Sequence, residues 1–245
     1  MREARLGELV IGERPVLFAT SLGDTVDEMI LQAGRAIDAG ADGVELRIDR
    51  LPSEGDVAEL IRRIDFPHLV ACRTPRFGGA FEGTETERIE RLEAAVEAGA
   101  TAVDIELLTD FNLRGRLIDT ARSHGTPVLV GYEDMSETPP AEELIQRLKE
   151  IAELEPDLIK LAVRARSYED LLTVLETAVK ARASIDVPFA AIALGPYGAA
   201  SRPLVLLIGG SFTYCAANAG TVPGQLTVAE TRQVLETLSE ERWSC

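Results

Sequence analysis

One lysine stands apart from every other charge in this sequence. In the stretch Glu155-Pro156-Asp157-Leu158-Ile159-Lys160-Leu161-Ala162-Val163, an apolar run of strand length carries a single cation. The only other lysines, Lys149 and Lys180, fall in amphipathic, charge-rich patterns that read as solvated helix faces. A lysine on a buried strand is desolvated, which lowers its pKa toward the neutral amine. A neutral amine attacks ketones, so Lys160 is a Schiff-base candidate. The alternative from this stretch alone is a strand-end lysine whose stem lies on apolar surface and whose head reaches water.

Other chemistry-bearing side chains sit at the ends of apolar runs. They are Glu45-Leu46-Arg47, Cys72-Arg73, Asp104 with Glu106, Tyr132-Glu133-Asp134, Lys160, Ser201-Arg202, and Thr221 to Gln225. Guanidinium forks grip carboxylates bidentately, and an amine beside them would meet a ketone. Together they predict a small keto-acid substrate, with a ring of salt bridges as the alternative. An arginine near Lys160 would also help hold the amine neutral by like-charge repulsion. Neither histidine suits proton transfer: His68 begins an apolar run, and His124 ends a helical one, where a cation is favourable. Tyr132, Glu133 and Asp134 are then the titratable candidates beside Lys160, with Glu133 able to serve as acid or base if burial raises its pKa.

These positions gather only if the chain brings strand ends together. Strand-like runs cover Val16–Thr20, Gly43–Ile48, His68–Arg73, Ala102–Leu107, Pro127–Gly131, Leu158–Val163, Phe189–Leu194 and Ser211–Ala216. Helical periodicity covers Thr25–Ala39, Asp56–Ile64, Glu85–Ala98, Leu113–Ser123, Ala141–Leu154, Tyr168–Ala181, Arg202–Ile208 and Val228–Leu238. About eight strand–helix units in single file predict an α/β fold, a (β/α)8 TIM barrel with parallel strands and right-handed crossovers. The active site of such a barrel lies at the C-terminal ends of its strands. Nothing resembling a linker divides residues 1–245, so they read as one barrel domain, with Met1–Arg14 as a short hairpin capping its bottom. A doubly wound open sheet is the alternative, but no GxGxxG follows the first strand.

Composition narrows the function classes. A net charge of −16 argues against nucleic acid or an anionic membrane as partner. Apolar runs such as Leu204–Ile208 are far too short to span a bilayer, and the N-terminus lacks a signal-peptide core. Cys72, Cys215 and Cys245 form no CxxC pair and read as free thiols in a reducing cytoplasm. With two histidines in the chain, a soft-metal site is not expected.

The pieces Glu45-Leu46-Arg47, Arg73, Asp104-Ile105-Glu106, Asp157 to Lys160, Leu194-Gly195 through Ser201-Arg202, and Pro223-Gly224-Gln225 occur in order along nearly the whole chain. In that order they resemble the type I 3-dehydroquinate dehydratases of the shikimate pathway. The resemblance implies a (β/α)8 barrel, a homodimer, and no metal or organic cofactor. It implies a lysine imine with the substrate ketone, loss of a proton from the adjacent carbon, and elimination of water to give 3-dehydroshikimate. By position, Lys160 would form the imine and Arg202, with Arg73, would clamp the carboxylate. Glu45, Arg47, Ser201, Thr221 and Gln225 would hold the ring hydroxyls and carboxylate. Two places depart from the family. Its proton-shuttling histidine sits in a Tyr-His-Asp triplet, which here reads Tyr132-Glu133-Asp134, giving Glu133 that role. Phe77 precedes Gly78-Gly79, where the family tends to carry an acid. The alternatives are a divergent Schiff-base lyase or aldolase on a related keto acid, and a non-catalytic metabolite-binding relative.

Overall fold

Ala4–Leu6 (β1) and Leu9–Ile11 (β2) pair antiparallel as a small hairpin before the barrel begins. The turn between them uses Gly7 at φ +59°, a left-handed conformation that only glycine adopts cheaply. The structure is a computed structural model and describes residues 2–216 and 225–238.

The remaining chain alternates strand and helix. In order, Val16–Leu22 (β3) leads to Val26–Asp38 (α1), Gly43–Arg47 (β4) to Glu54–Arg63 (α2), and His68–Ala71 (β5) to Glu85–Glu97 (α3). Val103–Glu106 (β6) leads to Phe111–His124 (α4), Val128–Asp134 (β7) to Ala141–Ala152 (α5), and Leu158–Arg164 (β8) to Tyr168–Ser184 (α6). Phe189–Leu194 (β9) leads to Ser201–Leu207 (α7), and Phe212–Cys215 (β10) to Val228–Leu238 (α8). Strands β3 to β10 form one parallel sheet in the order β10-β3-β4-β5-β6-β7-β8-β9. Ser211 N–H donates to the Phe189 carbonyl at 2.8 Å, bringing β9 and β10 together and rounding the sheet into a (β/α)8 barrel.

Local chemistry sets the helix starts. The side chains of Thr25, Ser53, Thr84 and Ser167 each accept from a backbone N–H of the first turn, and the last three complete capping boxes with Asp56, Glu87 and Asp170. Alternation along the strands then separates two cores. Val44, Leu46, Val130, Ile159, Leu161 and Val163 face the helices. Inside the barrel, Leu6 and Ile11 of the hairpin pack with Phe18, Leu69, Leu129, Leu158 and Phe212 and close one end. The N-terminal segment thus plugs the barrel, as the sequence predicts.

Several strand ends shift from expectation by one to three residues, and two of these shifts bear on the site. β5 stops at Ala71 rather than Arg73, because the Arg73 N–H turns out of the ladder to Asp49 Oδ1 at 3.0 Å. β7 continues past Gly131 to Asp134, because β8 is long enough to pair it as far as Val163. Glu133 therefore sits on a strand, not in a loop. Among the described residues, no helix is long and apolar enough to cross a membrane.

Candidate active site

Period-two alternation aims Lys160 into the barrel, between Leu158 and Ala162 on the inner face of β8. Its ladder partner on β7 is Gly131, where a Cβ would come within 3.2 Å of Lys160 Cε. The glycine leaves room for the lysine stem. Glu45 of β4, Asp104 and Glu106 of β6, and Glu133 of β7 are also buried near this end of the barrel.

The amine does not stand alone. Lys160 Nζ lies 2.7 Å from Asp104 Oδ2 and 2.6 Å from Glu133 Oε1, and it sits 5.6 Å over the Tyr214 ring. Burial and the neighbouring Arg73 charge push the amine's pKa down, but Asp104, Glu133 and Glu45 together outweigh them and hold it above the ordinary lysine value. The neutral amine expected from the sequence is therefore corrected: at rest Lys160 is an ammonium in an ion pair. Burial works against the Asp104 carboxylate, yet Arg73 and Lys160 keep it below its usual range.

Arg73 is the hub. Its guanidinium contacts Asp104, Glu106 Oε1 at 2.9 Å and Glu133 Oε1 at 2.5 Å, with Glu45 at 3.7 Å. The expectation that Arg73 shares in gripping a substrate carboxylate meets a guanidinium already surrounded by four protein carboxylates. Glu106 is held from its other side by Arg88 Nη1 at 2.7 Å. Arg47 is paired bidentately with Asp49, at 3.1 and 2.5 Å, beside the same opening.

Arg202 is different. It is buried on α7, its Nη1 donates to the Tyr214 carbonyl at 3.2 Å, and among the described residues no carboxylate pairs with it. Its Nε, the Tyr214 hydroxyl and Asp104 Oδ1 are buried without a hydrogen-bond partner among the described residues. An unpaired, desolvated guanidinium is an anion receptor. Glu45, Arg47, Arg202 and Gln225 line one cavity of about 530 Å³ with Lys160 and Glu133; Phe77, Met135 and Ile192 give it an apolar wall. The volume suits a small-molecule ligand.

Ser201 is not in that wall. Its hydroxyl accepts from Ala193 N–H at 3.0 Å and donates to the Gly198 carbonyl at 2.7 Å, so it pins the turn that carries Arg202. The substrate-contact role expected for Ser201 is corrected to this one. Thr221 and Cys245 lie outside the described residues. His68 is buried with Nδ1 on the Phe66 carbonyl, and His124 bonds the Thr120 carbonyl at its own helix end. Neither reaches the cavity.

Sequence reasoning missed Arg88, Tyr214 and the direct part played by Asp104. Asp104 and Tyr214 were findable, since strand alternation puts both on the inner face. Arg88 was not, because helical spacing places it beside Glu85 as a surface pair would be. Among the described residues, no group of three or more His, Cys, Asp or Glu side chains could hold a metal ion.

Comparison with known proteins gives a consistent picture. A family model described as Type I 3-dehydroquinase matches residues 17–242. The chain is 38% identical over 219 residues to a 3-dehydroquinate dehydratase of Methanothermobacter thermautotrophicus, covering 89% of this chain and 94% of that one. It is 35% identical over 232 residues to that of Methanopyrus kandleri, covering 91% and 100%. Among solved structures it resembles the type I 3-dehydroquinate dehydratase of Clostridium difficile, determined with covalently modified comenic acid, at TM-score 0.91 and 25% identity over 98% of each chain. Dihydropteroate synthase of Stenotrophomonas maltophilia, at TM-score 0.65 and 15% identity over 100% of each chain, shares the fold alone.

Proposed function

The chain belongs to the type I 3-dehydroquinase family, and on that premise we propose that it dehydrates 3-dehydroquinate to 3-dehydroshikimate through an imine on Lys160, with Glu133 moving the protons. The observation that carries this reading is the 2.6 Å contact between Lys160 Nζ and Glu133 Oε1 in a cavity that also holds Arg202, whose Nε has no hydrogen-bond partner among the described residues.

Substrate enters with its carboxylate on Arg202 and Gln225, while Glu45 and Arg47 face its hydroxyls. Filling the cavity removes water, and loss of water favours the neutral amine and acid over the separated charges. Lys160 passes its proton to Glu133, the free amine adds to the ketone carbon, and the added nitrogen gives one proton to the former ketone oxygen, which becomes a hydroxyl. Glu133 returns the proton to the departing hydroxyl, water leaves, and an iminium remains. Asp104, 2.7 Å from the nitrogen, balances its charge. The Glu133 carboxylate then takes a proton from the carbon next to the iminium. It delivers that proton to the leaving hydroxyl as the enamine electrons form the new double bond. Water hydrolyses the conjugated iminium and frees the product. Each proton that Glu133 accepts is one it gives back, so a single carboxylate serves every step.

We infer further that the protein acts in the cytoplasm as a homodimer, as the family resemblance implies. Exposed Tyr168, Leu172 and Val179 on one face of α6 support that assembly, and light scattering measures it. The activity is tested by the ultraviolet absorbance of the conjugated enone that dehydration creates. Turnover by the wild-type chain, lost in Lys160→Ala, is expected. A wild-type chain that binds 3-dehydroquinate and leaves it unchanged overturns the reading.

A further inference from the structure

We propose that Arg88, on α3 outside the strand barrel, is a positioning residue for the reaction, acting through Glu106 and Arg73 on the Glu133–Lys160 pair. Arg88 is 0% exposed and is not part of the cavity lining, so it touches no substrate. An arginine is rarely buried so completely without a specific set of partners. Here the partners form an unbroken line into the site. Arg88 Nη1 lies 2.7 Å from Glu106 Oε2, and Glu106 Oε1 lies 2.9 Å from Arg73 Nη1. The same Arg73 nitrogen lies 2.5 Å from Glu133 Oε1, which is 2.6 Å from Lys160 Nζ.

The key feature is that one nitrogen of Arg73 serves both Glu106 and Glu133. How hard Arg73 draws on Glu133 therefore depends on whether Glu106 is charged. Glu106 is faced by Arg73 from the end of β5, Arg88 from α3, Asp104 from its own strand and Glu133 from β7. Burial first, then the Glu133 and Asp104 charges, push its carboxyl above the ordinary value, against Arg73 and Arg88. Take Arg88 away and Glu106 Oε2 has no cation; the buried carboxyl then takes up a proton. Arg73 loses one of its four anions and closes on Glu133. Glu133 is drawn off Lys160, although every group that touches substrate is still present.

Arg88 also braces the fold. It pairs with Glu85, donates to Thr109 Oγ1 at 2.8 Å and to the Cys72 carbonyl at 2.9 Å. The test must separate the two roles. Arg88→Met, Arg88→Lys, Glu106→Gln and the Arg88→Met/Glu106→Gln double variant are compared with wild type. Two readouts are used: kcat and KM for 3-dehydroquinate, and the pH dependence of Lys160 reductive methylation by formaldehyde, followed by mass spectrometry. The first readout rests on the proposed dehydratase activity; the second does not.

Arg88→Met and Glu106→Gln should each lower kcat roughly ten- to a hundredfold, as misplaced catalytic groups do, with KM little changed. The double variant should be no worse than either single one, and Arg88→Lys should keep most of the activity. Lys160, with a weaker hold from Glu133, should become methylated at lower pH in Arg88→Met than in wild type. A shifted methylation profile in a chain whose wild type has no turnover removes the dehydratase reading and supports this one. Losses that multiply in the double variant overturn the proposal. So does a wild-type kcat and methylation profile in Arg88→Met or, where that variant does not fold, in Glu106→Gln.

Discussion

Glu133 stands two residues further along β7 than Gly131, the ladder partner of Lys160, and its carboxylate meets the amine at 2.6 Å across the barrel wall. Both side chains point inward, at 8% and 4% exposure. The acid–base group and the nucleophile are therefore in contact before any substrate arrives, as a protonated amine and a carboxylate.

Replacing the shuttle tests its role directly. Glu133→Gln keeps the size and a hydrogen bond to Lys160 but cannot carry a proton. It should lower kcat by about 10²–10⁴-fold, the usual worth of general acid–base catalysis, with substrate affinity changed far less. Steady-state kinetics beside calorimetric binding of 3-dehydroquinate measures the split. Unchanged kcat would remove Glu133 from the mechanism.

Arg202 should account for recognition rather than chemistry. A hydrogen bond to a charged group contributes about 1.5–3 kcal/mol, so Arg202→Gln should raise KM roughly ten- to a hundredfold. At saturating substrate, reduction should still capture the Lys160 adduct. A variant with wild-type KM means that the carboxylate binds elsewhere.

Asp104→Asn should change the pH dependence of stability at the acid end. Asp104 has a depressed folded pKa, so its contribution is present above the ordinary carboxylate range and is lost as pH falls through the folded value. Lys160 has a raised folded pKa, so its contribution is full below the ordinary lysine value and is lost as pH rises through the raised one. The Tm gap between wild type and Asp104→Asn should be wide at neutral pH and should close in acid. A gap that stays constant down to acid contradicts the ion-pair account. Losing one anion should also let Lys160 react with formaldehyde at lower pH.

The hairpin plug predicts a purely structural effect. Ile11 is fully buried against the inner core, far from the charged end of the barrel. Ile11→Ala should destabilise the fold by about 2–5 kcal/mol, read from urea unfolding, and leave kcat per folded molecule unchanged.

How much of this was legible follows from what each feature depends on. The barrel and its plug were, because alternation along β8 and helical spacing in the segments between strands are properties of neighbouring residues. The inward aim of Lys160 was also legible, since period two fixes it once the strand is found; that of Glu133 was not, because the strand read from the sequence stops at Gly131. The charge state of Lys160 was not. Burial alone argues for a neutral amine; the decisive carboxylates arrive from β6 and β7, and only closing the sheet brings them within 3 Å. Arg88 was hidden for the same reason: its spacing to Glu85 looks like a solvated helix pair, while its burial comes from Glu106 and Thr109 across the layer. Ser201 and Arg202 are adjacent in sequence, yet one anchors a turn and the other lines the cavity. That division depends on which way α7 begins.

The central claim is that the ammonium of Lys160 surrenders its proton inside the filled cavity and binds the substrate carbon covalently. Borohydride reduction in the presence of 3-dehydroquinate, followed by peptide mass spectrometry, reads this out. The predicted result is one stable substrate adduct, on the peptide holding Lys160 and absent from those holding Lys149 and Lys180. A chain that turns substrate over while yielding no adduct at Lys160 would contradict it.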